Sequence, residues 1–206
     1  LAAELVALHV RVLDPGAQLH EQGLASELGI SRRRLREAFA RLEATGLIAR
    51  TPNRGAFVHR LTIAEAREVF QAREALEGMC AGLAAGRVPP ESWQDLVELF
   101  AAPTEALVEA GDFEGYLANV TLFRRRMILA AGNQTIADLL GPLLDRSAVA
   151  MRRVILATNR ARDGLVQYRA VIAALRAGDA EAAEQRKRPQ LHEAWTALER
   201  YHRLVL

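Results

Sequence analysis

Apolar residues recur every three or four positions along most of the chain, and the interruptions of that rhythm divide it into elements. Leu1, Leu5, Leu8 and Val12 share helical spacing and predict a first amphipathic helix. Asp14-Pro15-Gly16 ends it, because Pro lacks a donor and Gly accepts positive φ. A second short helix is predicted from about Glu21 to Leu28, with Leu24, Ala25 and Leu28 inward. Gly29 breaks the rhythm, and Ser31 is placed to cap a third helix that buries Leu35, Ala38, Phe39 and Leu42 and stops at Gly46. Two short helices joined by a tight Gly-containing turn form the helix-turn-helix pattern. Beyond Gly46, two β-like stretches flank Thr51-Pro52-Asn53-Arg54-Gly55 and predict a hairpin, or wing.

The helical rhythm then resumes and does not change again. Thr62 and Glu65 have capping-box spacing, so a helix is expected to start there and run to about Gly86. Val88-Pro89-Pro90 is a break, followed by a helix from Glu91 to about Phe100. Pro103 and Gly111-Asp112 punctuate the next stretch, and helices are predicted over 114–131, 134–158, 164–177 and from Ala180 onward. The fold class is therefore mainly α. A winged helix-turn-helix (three helices plus a β-hairpin wing) over residues 1–60 precedes an all-helical antiparallel bundle of six or seven helices over 61–206, with a linker at 59–64.

Composition narrows the functional classes. Half of the 206 residues are apolar and a quarter charged, as in ordinary globular domains. No apolar run is long enough to span a bilayer and no signal-peptide pattern is read at the start, so a cytoplasmic location is the default expectation. The single cysteine, Cys80, leaves no partner for an internal disulfide. The net charge of +2 is unevenly spread: residues 1–60 hold nine arginines against six acidic residues, the remainder eighteen basic against nineteen acidic. Arg32, Arg33, Arg34 and Arg36 crowd the first turns of the third helix, where the helix dipole disfavours positive charge. A phosphate or base partner would remove that conflict, so double-stranded DNA is the expected ligand of this end. No paired carboxylates, His/Cys nucleophile set or phosphate-binding Gly loop suggests an enzyme.

Pro15-Gly16, Leu24-Ala25, Leu28-Gly29-Ile30-Ser31-Arg32, Arg36-Glu37-Ala38, Gly46-Leu47 and Arg54-Gly55, in that order, resemble the GntR family of bacterial transcription regulators. The resemblance implies DNA contacts from Arg32, Arg33, Arg34, Arg36, Arg54 and Gly55, with Ser31 as helix cap or phosphate ligand. Arg33-Arg34 departs from the Thr-Pro or Thr-Thr usual in the family, which puts an inherited operator consensus in doubt.

Further along, Phe70, Arg73, Leu76-Glu77, Phe123, Ala130-Ala131-Gly132-Asn133 and Gly178-Asp179-Ala180 resemble the FadR-type effector domain called FCD. That resemblance implies a bundle that makes a homodimer, binds a palindromic operator as such, and encloses a pocket for a small effector, commonly a carboxylate. Most relatives hold a divalent metal there through one Asp and three His. In this chain those positions are Val120, Arg124, Tyr168 and Gln190, so neither metal nor other cofactor is expected. If Arg124 faces the pocket, an effector anion could offset its charge, with Arg73, Tyr168 and Gln190 as further contacts. The alternative left open is an internal ion pair of Arg73 or Arg124 with Glu77, giving a filled core in a bundle that only dimerises. The function so implied is a regulator, and a repressor, whose operator affinity answers to a small anionic metabolite.

Overall fold

The computed structural model describes residues 2–52 and 54–206; Leu1 and Asn53, assigned above to the first helix and the wing turn, lie outside the described residues. Helix α1 (Ala2–Arg11) packs on α3 (Arg32–Ala44), with α2 (Glu21–Glu27) completing a three-helix unit. Strand β2 (Ile48–Thr51) pairs antiparallel with β3 (Gly55–Val58), from Ile48 opposite Val58 to Thr51 opposite Gly55. A third strand, β1 (Gln18–Leu19), adds to the outer side of β3 and makes a sheet of order β1-β3-β2. Two residues are too few to show a periodicity, so the sequence predicts only the hairpin.

Both helix ends around the turn are built as expected. Gly29 (φ +62°) follows α2, with its N–H on the Ser26 carbonyl and that of Ile30 on Ala25. Gly46 (φ +75°) repeats this after α3, with bonds from Gly46 to Glu43 and from Leu47 to Leu42. These are Schellman closures, in which the left-handed residue costs least when it is glycine. Leu24, Ala25, Leu35, Ala38, Phe39 and Leu42 are buried together.

One face of α1 differs from the expectation. The buried residues are Val6, Ala7 and Val10, whereas Leu5, Leu8 and Val12 keep two-fifths or more of their surface. Helix α1 therefore carries two apolar faces, and the sequence pattern singles out the one turned away from the helix-turn-helix core.

Residues 59–62 lead into α4 (Ile63–Arg87), opened by the Thr62–Glu65 capping box. A 3₁₀ turn (Pro90–Trp93) continues into α5 (Gln94–Leu99), and α6 (Ala102–Ala110), α7 (Phe113–Ala131), α8 (Gln134–Ala157), α9 (Arg160–Ala177) and α10 (Ala180–Val205) follow. The unit is all-helical, with seven α-helices among the described residues. Pro103, which punctuates this stretch in the sequence, sits in the first turn of α6, where a missing N–H costs nothing. Helix α9 starts one turn before the expected Gly164, with the Thr158 hydroxyl accepting from the Arg160 N–H at 3.1 Å. Helices α10 and α7 pack on α4, whose small residues Gly78, Ala81 and Gly82 admit α10 closely. Phe100, Phe123 and Tyr168 form an aromatic cluster with ring centroids 5.4–5.9 Å apart. Among the described residues no helix is long and apolar enough to cross a membrane.

Candidate DNA-reading face and cavity

Ser31 caps α3, its hydroxyl accepting the Arg34 N–H at 3.3 Å. The cap fixes the first turn, and the turn presents Arg32, Arg33, Arg34 and Arg36 to solvent, while Leu35 between them is buried. The four arginines are not equivalent. Arg33 pairs with Glu37 at 2.6 Å, and the Arg36 Nε donates to Glu21 of α2 at 3.0 Å. Arg32 and Arg34 have no side-chain partner among the described residues. Exposed pairs of this kind contribute at most about 1 kcal/mol, so a phosphate can take over Arg33 or Arg36. Arg54 is exposed beside Gly55 at the wing tip, its carbonyl accepting from the Gln18 side chain at 3.0 Å. Gly55 has φ +90°, a conformation that side chains other than glycine rarely adopt, so the strand can turn tightly at the tip. The fold thus carries Arg32 to Arg36 on one helix end and Arg54 with Gly55 on the wing of the same small unit.

The helical unit holds a cavity of about 420 Å³. Val120 and Arg124 of α7, Tyr168 of α9 and Gln190 of α10, the four positions that the family resemblance assigns to metal ligands, all line it, and Arg73 of α4 joins them. Phe70, Leu144, Met151 and Ile155 supply an apolar wall. Leu8 and Arg11 of α1 and Val12 just after it line it too, so the second apolar face of this segment looks into the cavity.

Behind the polar wall lies Glu77, fully buried. Its Oε1 accepts from the Arg73 Nε at 2.8 Å; its Oε2 lies 2.8 Å from the Lys187 ammonium and 3.6 Å from the Arg124 Nε. Burial alone would raise the Glu77 pKa, but Arg73, Lys187 and Arg124 hold it far below the usual carboxylate range. Arg73 is committed, since its Nη1 also donates to the Ser147 hydroxyl at 2.9 Å. Arg124 is looser, keeping a fifth of its side chain exposed and reaching the Tyr168 hydroxyl at 3.4 Å. Burial would raise the Tyr168 pKa as well; Arg124 and Lys187 outweigh that and lower it. The internal ion pair and the cavity thus coexist, where the sequence offered them as alternatives.

These side chains do not fit the divalent metal that the family resemblance implies. Val120 has no donor atom, Arg124 is a fixed cation, and Gln190 Oε1 already accepts from Lys187 at 2.6 Å. The near neighbours point elsewhere: Asn119 bonds Thr104 of α6 at 2.9 Å, and His192 is exposed beside Glu74. Three cavity residues escaped the sequence reading. Tyr116 and Arg160 line the cavity and Lys187 backs it, and only the fold reveals that. A signal did exist for Lys187, as the single lysine in a chain rich in arginine.

Comparison with known proteins identifies both units of the chain. Residues 5–58 match the model of the bacterial regulatory proteins of the gntR family, and residues 68–203 match that of the FCD domain. A probable D-xylose utilization operon transcriptional repressor of Paenarthrobacter nicotinovorans is 32% identical over 174 residues, which is 82% of this chain and 74% of that protein. The regulator McbR of Escherichia coli is 28% identical over 84% of this chain and 79% of its own length. Its solved structure, E. coli McbR/YncC, superposes with a TM-score of 0.86 at 23% identity, covering 98% of this chain and 99% of that one. A GntR regulator from Rhodococcus sp. RHA1 gives a TM-score of 0.75 at 23% identity, over 96% of this chain and 97% of that one. The chain belongs to the GntR family, in the FadR-like group that joins a winged helix-turn-helix to an FCD domain, and is a DNA-binding transcriptional regulator.

Proposed function

We propose that this regulator is a homodimeric repressor whose affinity for a palindromic operator is set by a small anionic metabolite bound in the helical cavity without a metal. The two functional units are taken as residues 1–60 and 61–206. Arg32, Arg33, Arg34, Arg36, Arg54 and Gly55 read or grip the DNA, with Ser31 ordering the helix end, and the protein acts in the cytoplasm. The observation that carries the sensing half is the open space of about 420 Å³ beside Arg124, Tyr168 and Gln190, facing an apolar wall. A guanidinium, a phenol and an amide converging on a partly apolar cavity suit a carboxylate with a hydrocarbon body. Leu8, Arg11 and Val12 line the same space, so a ligand would touch the DNA-binding unit directly. Any preference of the ligand for one placement of that unit becomes a change in operator affinity.

The test uses an operator selected in vitro from random duplexes. Fluorescence anisotropy should give a salt-dependent affinity that at least one small carboxylate weakens, and the same compound should raise the protein's melting temperature. If the protein binds the operator but no carboxylate or phosphate changes either quantity, sensing is refuted. The second reading, a bundle that only dimerises, then stands; Glu77 favours it, since it already engages Arg73, Arg124 and Lys187.

A further inference from the structure

Among the described residues, six cationic side chains line or back the cavity (Arg11, Arg73, Arg124, Arg152, Arg160 and Lys187), against three carboxylates, those of Glu77, Glu114 and Asp145. Arg11 is taken by Asp145 and Arg152 by Glu114. That leaves Glu77 alone against Arg73, Arg124 and Lys187, and it can neutralise one of them.

Arg160 has no carboxylate partner among the described residues. Its Nη2 donates to the Gln167 Oε1 at 2.6 Å and to the Gln190 carbonyl at 3.2 Å, both neutral, while its Nε and Nη1 have no acceptor. Gln167 goes on to bond Glu193, but that carboxylate is at the surface, where water screens it. The residue is only 8% exposed. A buried cation with unfilled donors is costly unless a counter-charge arrives. Next to it, the Tyr116 hydroxyl packs against Gly164, one helical turn along from Arg160. Lys187, 0% exposed, sits with its ammonium on Gln190 and 5.4 Å from the centre of the Tyr168 ring. Two of the four positions that hold a metal in relatives are therefore served by a fixed ammonium instead.

We propose that the cavity is a metal-independent site for an organic dicarboxylate. Arg124 with Tyr168 takes one carboxylate, Arg160 with Tyr116 takes the other, and the hydrocarbon between them lies against Phe70, Met151 and Ile155. Lys187 and Arg73 hold the wall positive from behind. This rests on the sensing function above and adds the ligand's charge and its second anchor.

Isothermal titration of the full chain, pretreated with EDTA, tests it with matched acids: succinate and butyrate, glutarate and valerate, isophthalate and benzoate. Phenyl phosphate serves as a dianion with its charge at one point. In at least one pair the diacid should bind at least about tenfold tighter than its monoacid and than phenyl phosphate. Arg160→Gln should abolish that preference, with an unchanged circular dichroism spectrum. Lys187 is too deeply buried for a safe substitution, which is why Arg160 carries the test. Monoacids that match their diacids, phenyl phosphate as the tightest ligand, or binding that disappears with EDTA would each overturn the dicarboxylate site alone. If neither any of these acids nor phenyl phosphate binds, the sensing function falls with it.

Discussion

At Glu77 one carboxylate meets three cations in the interior, and each comes from a different part of the chain. Arg73 lies four residues away on the same helix, a spacing the sequence displays openly. Arg124 could be suspected only through family resemblance, and Lys187, 110 positions on, stands out in sequence only as the single lysine until the fold sets it beside Glu77. Removing the carboxylate leaves buried cations facing one another, so Glu77→Gln should lose about 3–5 kcal/mol in urea unfolding. The direction of the pKa shift fixes the pH dependence. Glu77 titrates lower in the folded chain than in the unfolded one, so its contribution is present above the ordinary carboxylate range and is lost as pH falls through the depressed value. The variant should therefore show a flatter fall in stability on acidification, and an acid limb as steep as that of the parent would refute the role given to Glu77. The same carboxylate, after burial, helps push the Cys80 thiol up to about 11. Gly164 teaches a related lesson. In the sequence it looks like a helix start; in the fold it lies inside α9, where an added Cβ would collide with the Tyr116 hydroxyl. A glycine kept for room and a glycine kept for a turn look the same until the neighbouring helix is in place.

Among the elements, α2 and α3 were the most legible, because their signals are local. Capping by Ser31, two Schellman glycines and an apolar stripe at helical spacing all lie within the segment they shape. The arginine cluster at the start of α3 was legible as chemistry for the same reason, but its inequality was not, since Glu21 reaches Arg36 from another helix. Arg32, having no partner to leave among the described residues, offers the simplest test. Arg32→Ala should weaken operator binding and reduce the slope of log affinity against log salt by about 0.9 if it neutralises one phosphate. An unchanged affinity and slope would remove Arg32 from the interface. Helix α1 was legible as a helix but misjudged in orientation, because its stronger stripe of Leu5, Leu8 and Val12 is the one that does not enter the helix-turn-helix core. Helix α6 and strand β1 were missed, the one because Pro103 signals both a break and a helix start, the other because two residues carry no pattern.

Across the whole molecule, the two units are joined by more than residues 59–62. Val149 of α8 is buried in the core of the helix-turn-helix unit, beside residues of α1 and α3. Arg11 pairs with Asp145, Arg153 with Asp14, and the Arg146 side chain lies against Gly46 at the end of α3. A shared core couples unfolding, so calorimetry should show one transition. Val149→Asp, which puts a charge into that core, should split off a lower-temperature transition for the helix-turn-helix unit. Two transitions in the parent chain, or one in the variant, would show that the seam carries little cohesion. None of this was readable from sequence, where a joint between units leaves no period of its own.

The two-faced α1 also sets a limit on modularity. Regulators of this architecture invite chimeras, in which one protein's DNA-reading unit is spliced to another's sensing unit at the linker. A splice at residues 59–62 would carry Leu8, Arg11 and Val12 with the reader and leave the remaining cavity wall with the sensor. The hybrid would inherit its operator intact but acquire a lining made from two parents. On the sensing function proposed above, its ligand preference would match neither parent unless those three side chains were transplanted in the opposite direction.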